Sequence, residues 1–518
     1  MACLHEKNIP LSLLPRIDSK KDVVDAMATL RGYSFVTKQT QPSGDDHSDV
    51  LYDMHRLVHL AARNWLKMNT MLPDWTKSCI IRVMNLFPAR THELNSVWTL
   101  YLPHAQRLCQ ASYVEDVVER LHLLAKIGSS FQDEGKYNES VEAYTAVAEW
   151  MEHRLGTSHK DTMRAYRDLG WAISWQGDVF NAELYLRKAL NWAVNTLGKE
   201  DPSTLAARGS LAGVLVQKGE RKKAEEIYRE VLQLVQRASG KMDGRTMTTM
   251  TNLASVLGRR GKYLEAEKIF REVLQLRKAT FGNSHPDTLA SVIDLATTLK
   301  NQGHYLESEK MFREAINTLE TVRGKSHPDT LNSKVQLAGL LRRGGNYSEA
   351  VNICRDVLVL QEATHGKSHR YTTNTMTSLA IVLTEQGNYS EAESIYREVV
   401  DLRGTTLGES HPATIGAMDN LAWVVYSQGN YPEAKSVYRD VVERQRTTHG
   451  ESHPETIKAM ENLAGVLIKQ GNDLEGESIR REVLKLRAIT LGNDDHHTPS
   501  AANDVTSLIR GREDSLRR

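Results

Sequence analysis

A glycine returns every 42 residues along most of this chain. A second glycine follows each of these by 21 residues, from Gly156 to Gly492. Self-similarity at a fixed period of this length is the signature of an array in which each repeat packs only on its neighbours. Two glycines per repeat predict two helices per repeat, each ended by one glycine. The first series comprises Gly135, Gly177, Gly219, Gly261, Gly303, Gly345, Gly387, Gly429 and Gly471.

The repeat from 285 to 324 shows how the two helices are encoded. Pro286 suits the first turn of a helix, and His285 or the serine before it can cap the free amides. Apolar residues at three-and-four spacing then predict a first helix, and a second such stripe runs from Tyr305 to about Thr321. The short connections make neighbouring helices antiparallel. No segment shows strand alternation, so the sequence predicts an all-α fold.

Small and large residues recur in a fixed order around the turn glycine. A Leu-Ala pair precedes it, as in Leu295-Ala296, and an aromatic and then a small residue follow it, as in Tyr305 and Ser308. This order resembles the tetratricopeptide repeat, with each unit eight residues longer than the usual 34. The connecting run from Gly282 to Leu289 is similar to the variant found in kinesin light chains. The resemblance implies a right-handed α-solenoid of tandem helix hairpins.

The segment before the repeats carries a different motif. Met54-His55-Arg56 lies near the start of a helical pattern, and a Phe87-Pro88 pair and the run from Tyr101 to Ala105 follow. These motifs are similar to the end of the winged-helix part of fungal NB-ARC proteins, the signal-transducing ATPases of the NLR type. The resemblance implies that His55 corresponds to a nucleotide-sensor position.

The chain is therefore expected to have four parts. A small winged-helix-like remnant of an NB-ARC module spans residues 1–70, and a helical linker or amino-terminal cap spans 71–116. Nine 42-residue repeats occupy 117–492. A cap helix and tail at 493–518 are expected to cover the last repeat, because the end of a solenoid has no neighbour.

The composition excludes several classes of function. The 66 Lys and Arg residues nearly balance the 65 Asp and Glu residues, so the chain lacks a general attraction to nucleic acid or anionic lipid. The four cysteines lie far apart without a CxxC pair, which is typical of a reducing compartment. No apolar run is long enough to span a membrane. We expect a cytoplasmic protein with no nucleic-acid or membrane partner.

Motifs for catalysis or cofactor binding are incomplete. The Gly-Lys-Ser runs at 324–326 and 366–368 lack the glycine that a P-loop needs five residues earlier, and both join helices instead of following a strand. His55 and His59 have the spacing of a metal-binding pair, but no third ligand is evident. The sequence therefore predicts no enzyme activity, no catalytic residue, no cofactor and no metal site.

A peptide-binding groove is expected on the inner face of the array, which the first helix of each repeat lines in tetratricopeptide proteins. Asparagines that precede the Leu-Ala pairs are suited to bind an extended peptide backbone, and cations near the ends of these helices predict a positive patch. The alternative is that these cations only solvate helix ends and favour the helix dipole. The predicted groove residues are Asn252, Arg259, Lys300, Arg342, Arg343, Asn420 and Asn462.

The primary functional hypothesis is a non-enzymatic scaffold that binds a peptide or helix of a partner protein, with an acidic ligand favoured. The alternative is the sensor or regulatory half of a truncated or split NLR-like ATPase. A cargo adaptor of the kinesin-light-chain type is a third hypothesis. It is disfavoured because residues 1–112 lack the heptads of a coiled coil.

Overall fold

The computed structural model describes residues 1–14, 20–39, 50–87, 95–111 and 118–491. The chain forms two compact units, Met1–Thr157 (unit 1) and Ser158–Arg518 (unit 2). Helices joined by short turns make up most of both units, which confirms the predicted helical fold class. Among the described helices, none combines the length and hydrophobicity of a membrane span.

Unit 1 begins with a small antiparallel sheet in the order β1-β3-β2. The strands are β1 (Ile9–Pro10), β2 (Val36–Lys38) and β3 (Leu51–Met54). The sequence did not indicate these strands. All four residues of β3 are buried, so the strand lacks the alternation of a half-exposed strand.

The helices of unit 1 pack around the amino-terminal residues. Histidine side chains hold this segment: His59 Nε2 lies 3.0 Å from the carbonyl oxygen of Leu4, and His104 Nε2 lies 3.0 Å from that of Asn8. Burial of apolar side chains such as Ile9 completes the core. The helices are α1 (Lys20–Gly32), α2 (Arg56–Met68), α3 (Leu72–Leu86), α4 (Asn95–Cys109), α5 (Val118–Glu134) and α6 (Tyr137–Leu155).

Unit 2 is a run of helix hairpins. We call its odd-numbered helices A helices and its even-numbered helices B helices. The hairpins are α7 (Lys160–Gln176) with α8 (Val179–Leu197), α9 (Pro202–Gln217) with α10 (Arg221–Ser239), α11 (Gly244–Arg259) with α12 (Tyr263–Phe281), α13 (Pro286–Gln302) with α14 (Tyr305–Arg323), α15 (Pro328–Arg343) with α16 (Tyr347–His365), α17 (Arg370–Gln386) with α18 (Tyr389–Leu407), α19 (Pro412–Ser427) with α20 (Tyr431–His449), and α21 (Pro454–Lys469) with α22 (Asp473–Leu491). The predicted cap helix at 493–518 lies outside the described residues.

Small residues let the two helices of a hairpin approach closely. Ala296 on α13 is fully buried, and Ser308 on α14 donates a hydrogen bond to its carbonyl oxygen at 2.6 Å. Gly476 takes the place of Ser308 in the last hairpin, where an added Cβ would lie 2.7 Å from the Ile468 side chain. The packing of each hairpin therefore follows the small-residue pattern of the sequence.

The connection between repeats is fixed by a histidine cap and a threonine. His327 Nδ1 accepts a hydrogen bond from the amide of Asp329, which confirms the predicted helix cap. Thr330 donates a hydrogen bond to the carbonyl oxygen of Gly324 at 2.9 Å, a role that we had not predicted. The same threonine contact is made by Thr204, Thr246, Thr372, Thr414 and Thr456.

Arginines of the B helices connect neighbouring repeats. Arg271 binds Glu267 of its own helix at 2.8 Å and Glu307 of the next B helix at 3.0 Å. The sequence pattern indicated a solvated face, and these side chains are indeed partly exposed, but they also bridge successive B helices. The bridging pairs are Arg229–Glu265, Arg271–Glu307, Arg313–Glu349, Arg355–Glu391, Arg397–Glu433 and Arg439–Glu475.

Candidate functional site

A cavity of about 690 Å³ opens between A helices α9 and α11, and we call it the aromatic pocket. Buried Leu205, Val231 and Val235 form an apolar cluster that lines it. The rings of Trp171 and Tyr228 also contribute to its wall. The pocket is therefore suited to a bulky apolar side chain.

Glycine explains why this pocket is open. A Cβ added to Gly209 would meet no atom within 4 Å, so the missing side chain leaves accessible space. The positions one and two repeats later hold Thr251 and Ile293. Tyr228 donates a hydrogen bond from its hydroxyl to the Gly209 carbonyl oxygen at 3.1 Å, which orients its ring at the pocket.

A second, smaller cavity of about 240 Å³ lies one repeat earlier, between α7 and α9, and we call it the cationic pocket. Lys160, Arg164 and Arg167 line it, at the positions where the aromatic pocket has Pro202, Ala206 and Gly209. Arg167 forms an ion pair with Asp168 at 2.7 Å. Lys160 and Arg164 are exposed and have no ion pair with any described residue. These two side chains are available to a ligand carboxylate.

The three predicted asparagines differ in their surroundings. Asn252 is exposed and lines the aromatic pocket. Asn420 and Asn462 are half-buried, and Asn462 donates a hydrogen bond to Asp419 at 3.2 Å. Burial raises the pKa of the Asp419 carboxyl above its usual range. Of the three amides, Asn252 is the one that reaches the pocket.

The predicted cations are also distributed unequally. Lys300 is only 9% exposed, and its Nζ lies 3.4 Å from Gln336 Oε1. Burial, together with the nearby charges of Arg343 and Arg342, lowers the pKa of Lys300 to about 8. Arg342 is engaged in an ion pair with Glu385. Arg343 and Arg259 are exposed and have no ion pair within the described ranges.

One buried arginine on α18 was missed by the sequence analysis. Arg403 is 6% exposed and donates to the carbonyl oxygen of Ala413 and the side-chain oxygen of Asn374, both at 2.8 Å, and to Thr377 at 3.1 Å. Burial lowers its pKa to about 10. Its contacts connect α17, α18 and α19, so its role is to hold three helices together.

The two histidines of the amino-terminal motif, His55 and His59, make different contacts. His55 caps α2, because its Nδ1 accepts a hydrogen bond from the Leu57 amide at 3.3 Å. His59 is buried and contacts the Leu4 carbonyl oxygen. No group of three or more potential ligands for a metal gathers among the described residues.

Helix α2 in unit 1 carries an exposed apolar face. Leu57, Leu60 and Met68 lie at helical spacing on it, and Trp65 flanks them. Met68 is 84% exposed and Leu57 69%. Soluble monomers rarely expose several large apolar side chains on one helix face.

The helix hairpins, their turn glycines and their small-residue packing define a tetratricopeptide-type solenoid. Models of the tetratricopeptide repeat match residues 172–237, 245–321 and 329–405. A second model with the same description matches residues 414–455 and 456–498. These matches together cover more than half of the chain, which therefore belongs to the tetratricopeptide-repeat family.

Two solved structures align with parts of this chain. The structure of nearly identical TPR-like repeats from a putative kinesin light chain of Podosopora anserina is 24% identical, with a TM-score of 0.34 over 39% of this chain and 95% of that chain. BtubC (BKLC) from P. vanneervenii is 18% identical, with a TM-score of 0.38 over 46% of this chain and 92% of that chain.

A curated relative is the nucleotide-binding leucine-rich repeat (NLR)-like protein of Hyaloscypha variabilis. It is 39% identical over 165 residues, which are 32% of this chain and 16% of that protein. The match thus spans about one sixth of the relative's length.

Proposed function

We propose that this protein is a non-enzymatic, cytoplasmic interaction scaffold whose A-helix face binds a peptide or helix of a partner protein. The observation that carries the proposal is the pair of pockets in equivalent positions of consecutive repeats, one cationic and one aromatic. Two different pockets in register select a ligand by sequence as well as by shape.

The pockets favour a ligand with an acidic residue and a bulky apolar residue. Lys160 and Arg164 offer hydrogen-bond donors to a carboxylate, and the aromatic pocket accepts the apolar side chain. Neighbouring helices pack about 8–10 Å apart, and an extended chain rises about 3.3 Å per residue. The two ligand residues are therefore expected about three positions apart. Arg343 and Arg259 favour further acidic residues along the ligand.

The proposal is tested by a substitution that fills the aromatic pocket with a side chain. Gly209→Ile places at this position the residue that stands two repeats later. Fluorescence anisotropy measures binding of a labelled peptide that carries one glutamate and one tryptophan three residues apart. We expect Gly209→Ile and Arg164→Glu each to weaken binding about tenfold, since each change removes one anchor.

Gly465→Ile on α21 is the matched control, because a Cβ at Gly465 also meets no atom within 4 Å and lies outside both pockets. It is expected to bind the peptide as the wild type does. Equal affinities for the wild type and Gly209→Ile would refute the pocket assignment. Circular dichroism melting of each variant establishes that the fold is retained.

A second candidate function is the sensor half of a split or truncated NLR-like ATPase. The exposed apolar face of α2 favours it, since docking onto a nucleotide-binding module would bury Leu57 and Met68. The coding sequence directly upstream distinguishes the two functions: a P-loop module there supports the sensor role. If such a module exists and Met68→Glu leaves its association with unit 1 unchanged, the α2 face does not serve this role.

A further inference from the structure

Helix ends that are far apart in the sequence of unit 2 contact each other. His411 Nε2, at the start of α19, lies 3.2 Å from the carbonyl oxygen of Trp175, which is 236 residues earlier at the end of α7. His453 Nε2, at the start of α21, lies 3.3 Å from the carbonyl oxygen of Gln217, again 236 residues earlier, at the end of α9. The spacing of about five and a half repeats is the same, so two successive repeats make the same contact. We call these contacts the seam.

Each seam histidine uses both ring nitrogens. The Nδ1 of His411 accepts the amide hydrogen of Ala413 at 3.1 Å, and the Nδ1 of His453 accepts that of Glu455 at 3.2 Å. Because Nδ1 accepts, Nε2 carries the hydrogen and donates it to a carbonyl group at the last turn of the opposite helix. Burial lowers the pKa of both histidines, which favours this neutral form.

Another capping histidine shows what is specific to the seam. His285 caps α13 in the same way, with its Nδ1 3.2 Å from the amide of Asp287. Within the part of the chain that the structure describes, its Nε2 makes no hydrogen bond. The cap is thus shared with His285, whereas at His411 and His453 the Nε2 contact reaches a carbonyl oxygen 236 residues away.

The backbones also approach closely at the seam. A Cβ added to Gly177 would lie 2.6 Å from Cδ of Pro412, and one added to Gly219 would lie 2.9 Å from Cδ of Pro454. The later turn glycines from Gly261 to Gly471 have open space: Gly303, with φ +90°, has no atom within 4 Å of its Cβ position. Only glycine allows this approach at the two seam positions.

A cation–π contact also joins the two sides of the seam at Trp175. The guanidinium of Arg370, at the start of α17, lies 5.6 Å from the centre of the Trp175 ring. A cation at this distance from an indole ring is attracted to its face. The ring and the carbonyl oxygen of Trp175 lie in the last turn of α7, and the turn glycine Gly177 directly follows this helix.

We propose that the seam is a latch that closes one superhelical turn of unit 2 and controls the access of bulky partners to the A-helix face. When successive turns of a solenoid touch, the gap between them is closed. A partner then reaches the A helices through the ends of the turn or after the seam parts. The seam contacts described above are hydrogen bonds, one cation–π contact and two approaches of proline to glycine, so parting them exposes little apolar area. The proposal rests on the proposed function only in taking the A-helix face as the binding surface.

The test measures access to the A-helix face without any ligand. Thr248, exposed at the aromatic pocket, is changed to cysteine in the full chain. The labelling rate of this cysteine is measured by peptide mass spectrometry with two reagents. The small reagent is N-ethylmaleimide, and the large reagent is a maleimide attached to a polyethylene glycol chain of about 5 kDa. The wedge variant Gly177→Ala/Gly219→Ala is expected to raise the rate with the large reagent about tenfold and to leave the small-reagent rate unchanged.

The matched control is Gly303→Ala/Gly387→Ala. These glycines have φ of +90° and +87°, close to the +99° and +89° of the seam glycines, so the backbone strain of the substitution is similar. Their Cβ positions are open, so the control is expected to label like the wild type. Equal large-reagent rates in the wedge and control variants overturn the latch.

A second pair keeps the test decisive if the wedge variant does not fold. His411→Ser/His453→Ser retains the helix caps but removes the Nε2 contacts, and His285→Ser is its control. We expect faster large-reagent labelling in the former alone. Loss of binding of the Glu/Trp peptide to every form, with a normal wedge response, would refute the proposed function and leave the latch standing.

Discussion

Arg313 on α14 binds two glutamates at once, Glu309 of its own helix and Glu349 of the next B helix, each at 2.8 Å. The second contact crosses from one repeat to its neighbour. The same bridge recurs along the B helices, so each repeat is tied to the next outside the apolar core. In a solenoid such nearest-neighbour contacts determine how cooperatively the array unfolds.

We expect Arg313→Ala to lower the free energy of unfolding of unit 2 by up to about 1 kcal/mol, since it removes both ion pairs. Arg481→Ala is the control. Arg481 contacts Glu477 within its own helix at 3.4 Å and bridges to no other described helix, so its loss is expected to cost only a few tenths of a kcal/mol. Urea unfolding curves of both variants measure the difference. A larger loss in Arg481→Ala than in Arg313→Ala would contradict the bridging role.

Buried Glu225 on α10 is expected to contribute to the free energy of unfolding of unit 2 in a pH-dependent way, and more strongly than Arg313. Burial alone would raise its pKa, but Lys262, Arg229 and Arg260 outweigh that effect and hold the pKa at about 2. The carboxylate is therefore charged in the folded chain at pH values where it is protonated in the unfolded chain. Its stabilisation is complete above the unfolded pKa near 4.5 and is lost as the pH falls towards 2.

Glu225→Gln is expected to cost on the order of 2 kcal/mol at pH 7, because it removes the anion shared by Lys262, Arg260 and Arg229, of which Arg229 keeps Glu265. The same variant should flatten the decline in stability between pH 4.5 and pH 2. Denaturant unfolding at several pH values measures both effects. Glu314→Gln, at an exposed site, is the control. An unchanged acid profile in Glu225→Gln would contradict the assignment.

Chemically identical threonines occupy different environments in neighbouring repeats. Thr330 donates a hydrogen bond to Gly324, whereas the buried hydroxyl of Thr288 has no hydrogen-bond partner among the described residues. Thr330→Val is therefore expected to destabilise unit 2 by about 1 kcal/mol, and Thr288→Val is expected to be neutral or stabilising. Thermal unfolding of the two variants compares them directly. Equal losses would show that the hydroxyl does not determine the effect.

Within each repeat, local chemistry was sufficient to predict the fold. The turn glycine Gly303 and the cap His285 act on residues within one turn of helix, so their positions alone specify where α13 begins and ends. The close approach of Ser308 to Ala296 follows in the same way from residue size. The threonine contact of Thr330 escaped notice, although its recurrence at a fixed position was a visible signal.

Contacts between distant repeats were beyond the sequence analysis. The approach of His411 to Trp175 depends on the small rotation between repeats, which accumulates over 236 residues and leaves no local pattern. The aromatic pocket had a weak signal, because Gly209 interrupts positions that hold Thr251 and Ile293 later on. Whether a cation is exposed like Arg343 or buried like Lys300 depends on packing of the neighbouring A helix.

Two neighbouring arginines of the predicted positive patch differ in their surroundings. Arg342 forms an ion pair with Glu385, whereas Arg343 is exposed. We expect Arg343→Glu to weaken binding of the Glu/Trp peptide about threefold with little change in stability, because its side chain is exposed. The double variant Arg342→Glu/Arg343→Glu is expected to weaken binding further, and also to lower stability by placing a second carboxylate against Glu385. Anisotropy titrations at low and high salt measure the binding. Unchanged affinity in the double variant would remove these residues from the groove.

Acid sensitivity of unit 1 is expected from His104. This side chain is fully buried, and burial, opposed only in part by its hydrogen bond to the Asn8 carbonyl oxygen, lowers its pKa to about 4. The unfolded chain takes up this proton near pH 6.5, whereas the folded chain does so only near pH 4. The contribution to stability is therefore intact above pH 6.5 and declines as the pH falls from 6.5 to 4, by at most about 3 kcal/mol.

Hydrogen exchange of the Ile9 amide in β1 and of the amides in α4 reports this loss, because the His104 contact joins α4 to Asn8, the residue before β1. His104→Gln retains a hydrogen-bond donor but does not titrate, so its exchange rates should not rise between pH 6.5 and pH 4 beyond the intrinsic pH effect. His285→Gln is the control and should leave unit 1 as acid-sensitive as the wild type. If His104→Gln shows the same decline as the wild type, another group causes the acid sensitivity.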